Sequence, residues 1–171
     1  MPRPLLVLAL ALVACAAGSR PQHTAVPTIP ARPDDVGSID GIMRAFYEVV
    51  NVEPDAPRQW SRDRTLYLPD IRFVAIGKEL HVWDHQQFVD ESEPLMRAGF
   101  YENEINRVER RYGNIAHVFS TYETRTTKDG PVRSRGVNSL QLFFDGKRWW
   151  VASVTWQSED ADHPIPPELL P

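Results

Sequence analysis

Two spacings of apolar residues divide the chain. From Asp35 onward they recur at the helical period, with Ile39, Ile42, Met43, Phe46 and Val50 on one face. Asp34, Asp35 or Ser38 can cap that helix at its start, and Pro54 and Pro57 follow its end. Arg58 to Leu66 reads as a short second helix anchored by Trp60, and Ile71 to Ile76 as a short strand closed by Gly77. Asp84, followed three residues later by Gln87, has the spacing of a capping box and opens a third helix. Phe88, Val89, Leu95 and Met96 form its buried side, Pro94 splits it and Gly99 suits its C-terminal cap. After Gly99 the period shortens to two. Glu104 to Arg111 and Asn114 to Arg125 read as one long strand bent by a bulge at Tyr112-Gly113. Asp129-Gly130 marks a turn. Two last strands flank Asp145-Gly146, a pair suited to a two-residue type I′ loop because it tolerates positive φ.

Three helices followed by an antiparallel meander predict an α+β fold, a curved antiparallel sheet wrapped around the N-terminal helices. Two-residue loops at both Asp-Gly pairs set Asn138 opposite Ser153 and Thr121, and Leu142 opposite Trp149 and His117. That register gathers His117, Thr121, Glu123, Asn138, Trp149, Ser153 and Thr155 on the helix-facing side, apolar at one end and polar at the other. With Tyr47 and Trp60 from the helices they would line a pocket. Trp150, Val154 and Trp156 fall on the other side, where an aromatic patch suits a homodimer. A slip of one residue in either loop would exchange the faces of a strand.

The first 33 residues follow neither spacing. Arg3 and the apolar run Leu5 to Val13 form an export signal too short to span a bilayer. Leu12-Val13-Ala14-Cys15 resembles a bacterial lipobox, which makes 1–14 a signal peptide and Cys15 the lipidated first residue. The alternative is a secretory signal cut near Ala14 or Ala17. The expected location is outside the cytoplasm, on a membrane anchor, facing the periplasm or the cell surface. Residues 15–33 are proline-rich and read as a flexible tether, 34–158 as the folded domain, and 159–171 as an acidic, proline-rich tail. Cys15 is the only cysteine, so if it is lipidated the mature chain has no thiol for a disulfide, a metal or catalysis. The net charge of −4 and the lack of a basic stripe argue against a nucleic-acid partner.

The segments FYEVV, WSRDRTLYLPD, GNIAHVFSTYETR and RGVNSLQLFFDGKRWWVASVTWQ together resemble the nuclear transport factor 2-like superfamily, over Val36 to Ser158. The resemblance implies a cone-shaped domain, often dimeric, with any active site inside the cone. It leaves the chemistry open, because ketosteroid isomerase, scytalone dehydratase, SnoaL-like cyclases and non-catalytic modules share this fold. A ketosteroid isomerase-like site needs an aspartate base, and no aspartate stands mid-strand on the expected inner face. The nearest, Asp84, is accounted for as a helix cap. His117 with Tyr47 could imitate part of a dehydratase site, with Asn138 and Ser153 orienting substrate. His117 and Glu123 are about 20 Å apart along one strand, too far to act directly on each other. No cofactor or metal is expected: there is no phosphate-binding glycine loop, and His81 precedes the helix that His85 enters. Three functions stay open: binding of a small, partly apolar molecule, cofactor-independent isomerase, dehydratase or cyclase chemistry with His117 as acid/base, and a structural dimeric accessory role.

Overall fold

A computed structural model describes residues 23–171. The signal segment, Cys15 and the first part of the tether lie outside the described residues. After a short turn of helix (α1, Pro33–Val36), the principal helix α2 runs over Ile39–Val50. Ser38 caps it, its hydroxyl accepting from the Gly41 amide at 2.9 Å. All five residues of the expected apolar face are buried, and so are Ala45, Tyr47 and Val49, so the helix is enclosed on more than one side.

Helix α3 (Trp60–Arg64) leads into strand β1 (Tyr67–Ile76). The sequence reading did not foresee β2 (Leu80–Trp83), which turns back along β1 before helix α4 (His85–Leu95). The capping box is present: Asp84 accepts from the Gln87 amide at 2.8 Å, and Gln87 accepts from the Asp84 amide at 3.0 Å. Pro94 falls in the last turn of α4 and does not split it. Four long strands complete the sheet: β3 (Tyr101–Tyr112), β4 (Ile115–Arg125), β5 (Ser134–Phe144) and β6 (Trp149–Ser158). The order is β2-β1-β6-β5-β4-β3, antiparallel except for the parallel pair β1/β6. Helix α2 packs into the curve of the sheet against Val118, Leu140, Leu142 and Val151, and their burial forms the core.

The sheet departs from the expected one at each loop. Residues 101–125 are a hairpin and not one bent strand, since Tyr112 pairs with Ile115 across Gly113-Asn114. Gly113 has φ 56° and Asn114 has no positive φ, the pattern of a two-residue turn with glycine first. The connection around Asp129-Gly130 spans residues 126–133, with Thr124 pairing Ser134. This moves the pairing by one residue, so that Ser120, not Thr121, faces Asn138. The last loop is also longer: Phe144 pairs with Trp149, and the Asp145 carboxylate accepts from the Lys147 and Arg148 amides at 2.8 and 2.9 Å. Farther along, Gln141 pairs with Ser153 but Leu142 with Val151, which leaves Ala152 as a bulge in β6.

The described end of the expected tether lies along α4. His23 and Thr24 meet the Asp90 carboxylate at 2.5 and 2.7 Å, and Gln86 donates to the Thr24 carbonyl at 2.9 Å. The tail folds back over the outer side of the sheet. There Thr121 donates to the Leu169 carbonyl at 2.5 Å and Ile165 is buried. Gly136 leaves no room for a side chain, because an added Cβ would stand 2.4 Å from the Tyr122 hydroxyl and 2.5 Å from the Gln157 carbonyl. Gly136→Ala is therefore expected to cost about 1–3 kcal/mol in chemical denaturation. An unchanged midpoint would mean that both Tyr122 and the β6 backbone at Gln157 give way freely.

Candidate functional site

Between α2, α4 and the concave face lies a cavity of about 360 Å³. The bulge at Ala152 turns Val154 and Trp156 into it, where they continue the face begun by Asn138 and Leu140. Its broad wall is aromatic. Trp83 stacks on Trp156 with ring centres 5.9 Å apart, Phe73 on Phe88 at 4.4 Å, and Phe88 meets both tryptophans edge-on. Leu95, four-fifths exposed, stands at the rim.

The polar end is built from three elements. Asn51, at the end of α2, accepts from the Glu102 amide at 2.7 Å and fixes the start of β3. Glu102 reaches inward, and its Oε1 accepts from Asn138 Nδ2 at 2.9 Å. Asn138 also donates to the Tyr47 hydroxyl at 3.2 Å, and Tyr47 lies 2.5 Å from the Ser120 hydroxyl. Ser120 in turn donates to Glu104. This fixes the direction of the chain: Ser120 gives its proton to Glu104, Tyr47 gives its own to Ser120, and the Asn138 amide serves Tyr47 and Glu102. Glu102 Oε2 has no hydrogen-bond partner among the described residues.

Burial pushes the Glu102 carboxyl up to about 7, against the Asn138 hydrogen bond and the charge of Arg58, which both favour ionisation. Burial, aided by the Glu102 charge, holds the Tyr47 hydroxyl well above the usual phenol range, and burial pushes Tyr122 up to about 12. Arg58 lies behind this end, its guanidinium 4.2 Å over the Trp60 ring. Its three side-chain nitrogens are closed off from solvent and have no hydrogen-bond partner among the described residues. Burial lowers its pKa, opposed by Asp63, then by Tyr67, Glu93 and Glu102.

Of the residues expected around a pocket, Asn138 lines the cavity, and Tyr47 supports it from behind. The one-residue shift in β4 turns His117, Thr121 and Glu123 to the outer side. There His117 is 2.9 Å from the Ser139 hydroxyl, Thr121 lies under the tail, and Glu123 pairs with Arg125. The Ala152 bulge turns Ser153 and Thr155 outward, opposite Gln141 and Ser139. Trp60 is buried against Phe88 and donates to Glu93 outside the cavity wall. Trp149 is buried beside Phe144, away from the cavity. Of the expected dimer face only Trp150 is on the outer side, with Arg148 stacked 3.7 Å above it, since Val154 and Trp156 are inside the cone. Glu102 was missed. Its strand, YENEINRVERRY, carries charge on both faces and gives no alternation to read.

No protein-family model matches the sequence, and no curated protein matches it. Solved structures do. A protein of unknown function with a cystatin-like fold from Nostoc punctiforme superposes with a TM-score of 0.58 at 9% identity, over 72% of this chain and 90% of that one. A nuclear transport factor 2-like protein of unknown function from Silicibacter pomeroyi gives 0.53 at 11% identity, over 72% and 94%. A putative ketosteroid isomerase from Parabacteroides distasonis gives 0.50 at 11%, over 71% and 88%. The chain has the nuclear transport factor 2-like cone fold.

Proposed function

We propose that this nuclear transport factor 2-like cone binds a small, partly apolar molecule, its body against the aromatic wall and one polar group at Glu102 and Asn138. The observation that carries this reading is a cavity of about 360 Å³ with aromatic walls that ends on the Glu102 carboxyl and the Asn138 amide. That volume lies within the range of small-molecule sites, and apolar walls with few polar groups are their usual make-up. The test is titration with N-phenyl-1-naphthylamine, whose fluorescence rises in apolar surroundings. Saturable binding is expected, with affinity at least tenfold weaker in Ser134→Trp, which plugs the rim from an exposed position. Unsaturable binding, or binding indifferent to the plug, would remove the reading.

One observation favours catalysis as a second reading. A carboxyl raised to about 7 by burial, at the end of an apolar cavity, suits a general base at neutral pH. Glu102 thereby takes the acid/base role that the sequence reading gave to His117. Exchange of the α-protons of 2-tetralone in deuterated buffer, followed by NMR, should be accelerated by the protein. The acceleration should be half-maximal near pH 7 and absent in Glu102→Gln. Export and lipid anchoring at Cys15 remain proposals that rest on the lipobox, and Cys15→Ser should move the protein from the membrane to the soluble fraction. A homodimer through the outer sheet face is a proposal that light scattering decides.

A further inference from the structure

We infer that the molecule bound in the cone is a cation, a substituted ammonium group carried on an apolar body. This rests on reading the cone as a binding site and names the class of ligand it takes. The cavity wall holds eight aromatic side chains and two carboxylates, Glu91 and Glu102. Among the described residues it holds no lysine, arginine or histidine. An aromatic face presents negative charge density, and a cation held against several such faces gains from each. Trp83 stacks on Trp156 at 16° from parallel, with His81 on Trp83 as well, and Phe73 stacks on Phe88 at 12°, so linked aromatic groups line one side of the space. Glu102 supplies the counter-charge: Asn138 occupies Oε1, and Oε2 is left for the ligand. Glu91 is exposed at the rim, where it favours the approach of a positive group.

The groups that face Glu102 agree with this assignment. Tyr47 comes from α2, Tyr67 from β1, Tyr122 from β4 and Asn138 from β5. All are neutral, because burial keeps the three phenols protonated. Arg58, from the segment before α3, is the one positive group coupled to Glu102. It also faces Asp63 and Glu93 and does not line the cavity, so carboxylates outnumber it behind the wall. An anionic ligand would meet Glu102 with the Asn138 amide already committed to Tyr47 and Glu102. A neutral apolar ligand would gain the contact with the aromatic wall and nothing from the carboxylate.

The probes are phenyltrimethylammonium, its uncharged carbon counterpart tert-butylbenzene, and benzenesulfonate, each titrated by the fluorescence of Trp83 and Trp156. At pH 8 the cation is expected to bind at least tenfold more tightly than tert-butylbenzene, with benzenesulfonate weakest. Since the cation binds ionised Glu102, its affinity should fall about tenfold for each pH unit below 7, while that of tert-butylbenzene stays level. Glu102→Gln should bring the cation down to the level of the neutral probe. Equal binding of cation and neutral probe by the unmodified protein would overturn the inference and leave the cone as a binding site. A preference for the cation that persists in Glu102→Gln would overturn it too, because the counter-charge would then be elsewhere. If none of the three binds, the binding-site reading falls and takes this inference with it.

Discussion

Glu102→Gln is expected to make the protein more stable, by about 3 kcal/mol at pH 8 and by nothing measurable at pH 4. The unfolded carboxyl ionises near the usual 4.5 and the folded one near 7. Below 4.5 the group is protonated in both states and its burial costs little. Between 4.5 and 7 the unfolded chain gives up a proton that the folded chain retains, so stability declines as pH rises. Above 7 the decline is complete, and 2.5 units of separation correspond to about 3 kcal/mol. Glutamine retains the shape and the contact with Asn138 but cannot ionise. In a domain of this size the gain corresponds to roughly 6–12 °C in melting temperature. Melting curves of both proteins from pH 4 to 8 should coincide at the acid end and separate progressively. Curves that run parallel throughout would mean that Glu102 is ionised in the folded protein well below pH 7. A residue whose removal stabilises the fold is retained at the expense of stability, as functional groups often are.

The opposite result is expected at Asp35. Its carboxylate, 2% exposed, receives two parallel hydrogen bonds from Arg62, each 2.8 Å long, and so joins α1 to α3. Arg62 is nearly as buried and also meets Glu48 at 2.6 Å. Asp35→Ala leaves the guanidinium with Glu48, its more exposed carboxylate partner, and a longer hydrogen bond to Gln59, and a loss of about 3 kcal/mol, the lower end for a broken buried pair, is expected in urea denaturation. Adding Arg62→Met should restore part of that loss, because the unpaired charge is then gone. A double variant less stable than Asp35→Ala would show Glu48 to be the stronger partner. The Arg62 hydrogen bonds hold Asp35 below the ordinary carboxylate range. Its contribution is therefore complete above that range and is lost as pH falls through it, so the effect of Asp35→Ala should shrink below about pH 4.

What the sequence conveys well is local. The face of α2, the Ser38 cap and the Asp84–Gln87 box are decided within a few residues, and each stands where spacing places it. The cone fold is legible because helices followed by long alternating strands leave few ways to bury both apolar surfaces. Which side chains face inward is a different kind of fact. It depends on loop length, which an Asp-Gly pair does not by itself fix. At Asp145 the carboxylate gathers two amides and the Trp150 indole, which stabilises a wider loop than the type I′ turn. At 126–133 the extra residues displace β4 by one position and carry His117 out of the cone. The charge pattern of β3 hides Glu102 for a related reason. Its inward residues Glu102 and Glu104 meet polar partners, not the apolar core, so no hydrophobic mark distinguishes the two faces.

The bulge at Ala152 has a consequence for how such a site can change over time. Whether Trp156 or Thr155 looks into the cone is settled by whether Ala152 is taken up in the bulge or counted in the regular alternation of the strand. Straightening the bulge with every residue kept would replace Val154 and Trp156 with Ser153 and Thr155 along the whole upper wall, exchanging an aromatic lining for a hydroxyl one, whereas loss of Ala152 itself would leave every pair beyond it in place. Many successive substitutions would be needed to reach the same lining one position at a time. The parity of a single strand thus acts as a selector between two ligand chemistries that are both already written in β6.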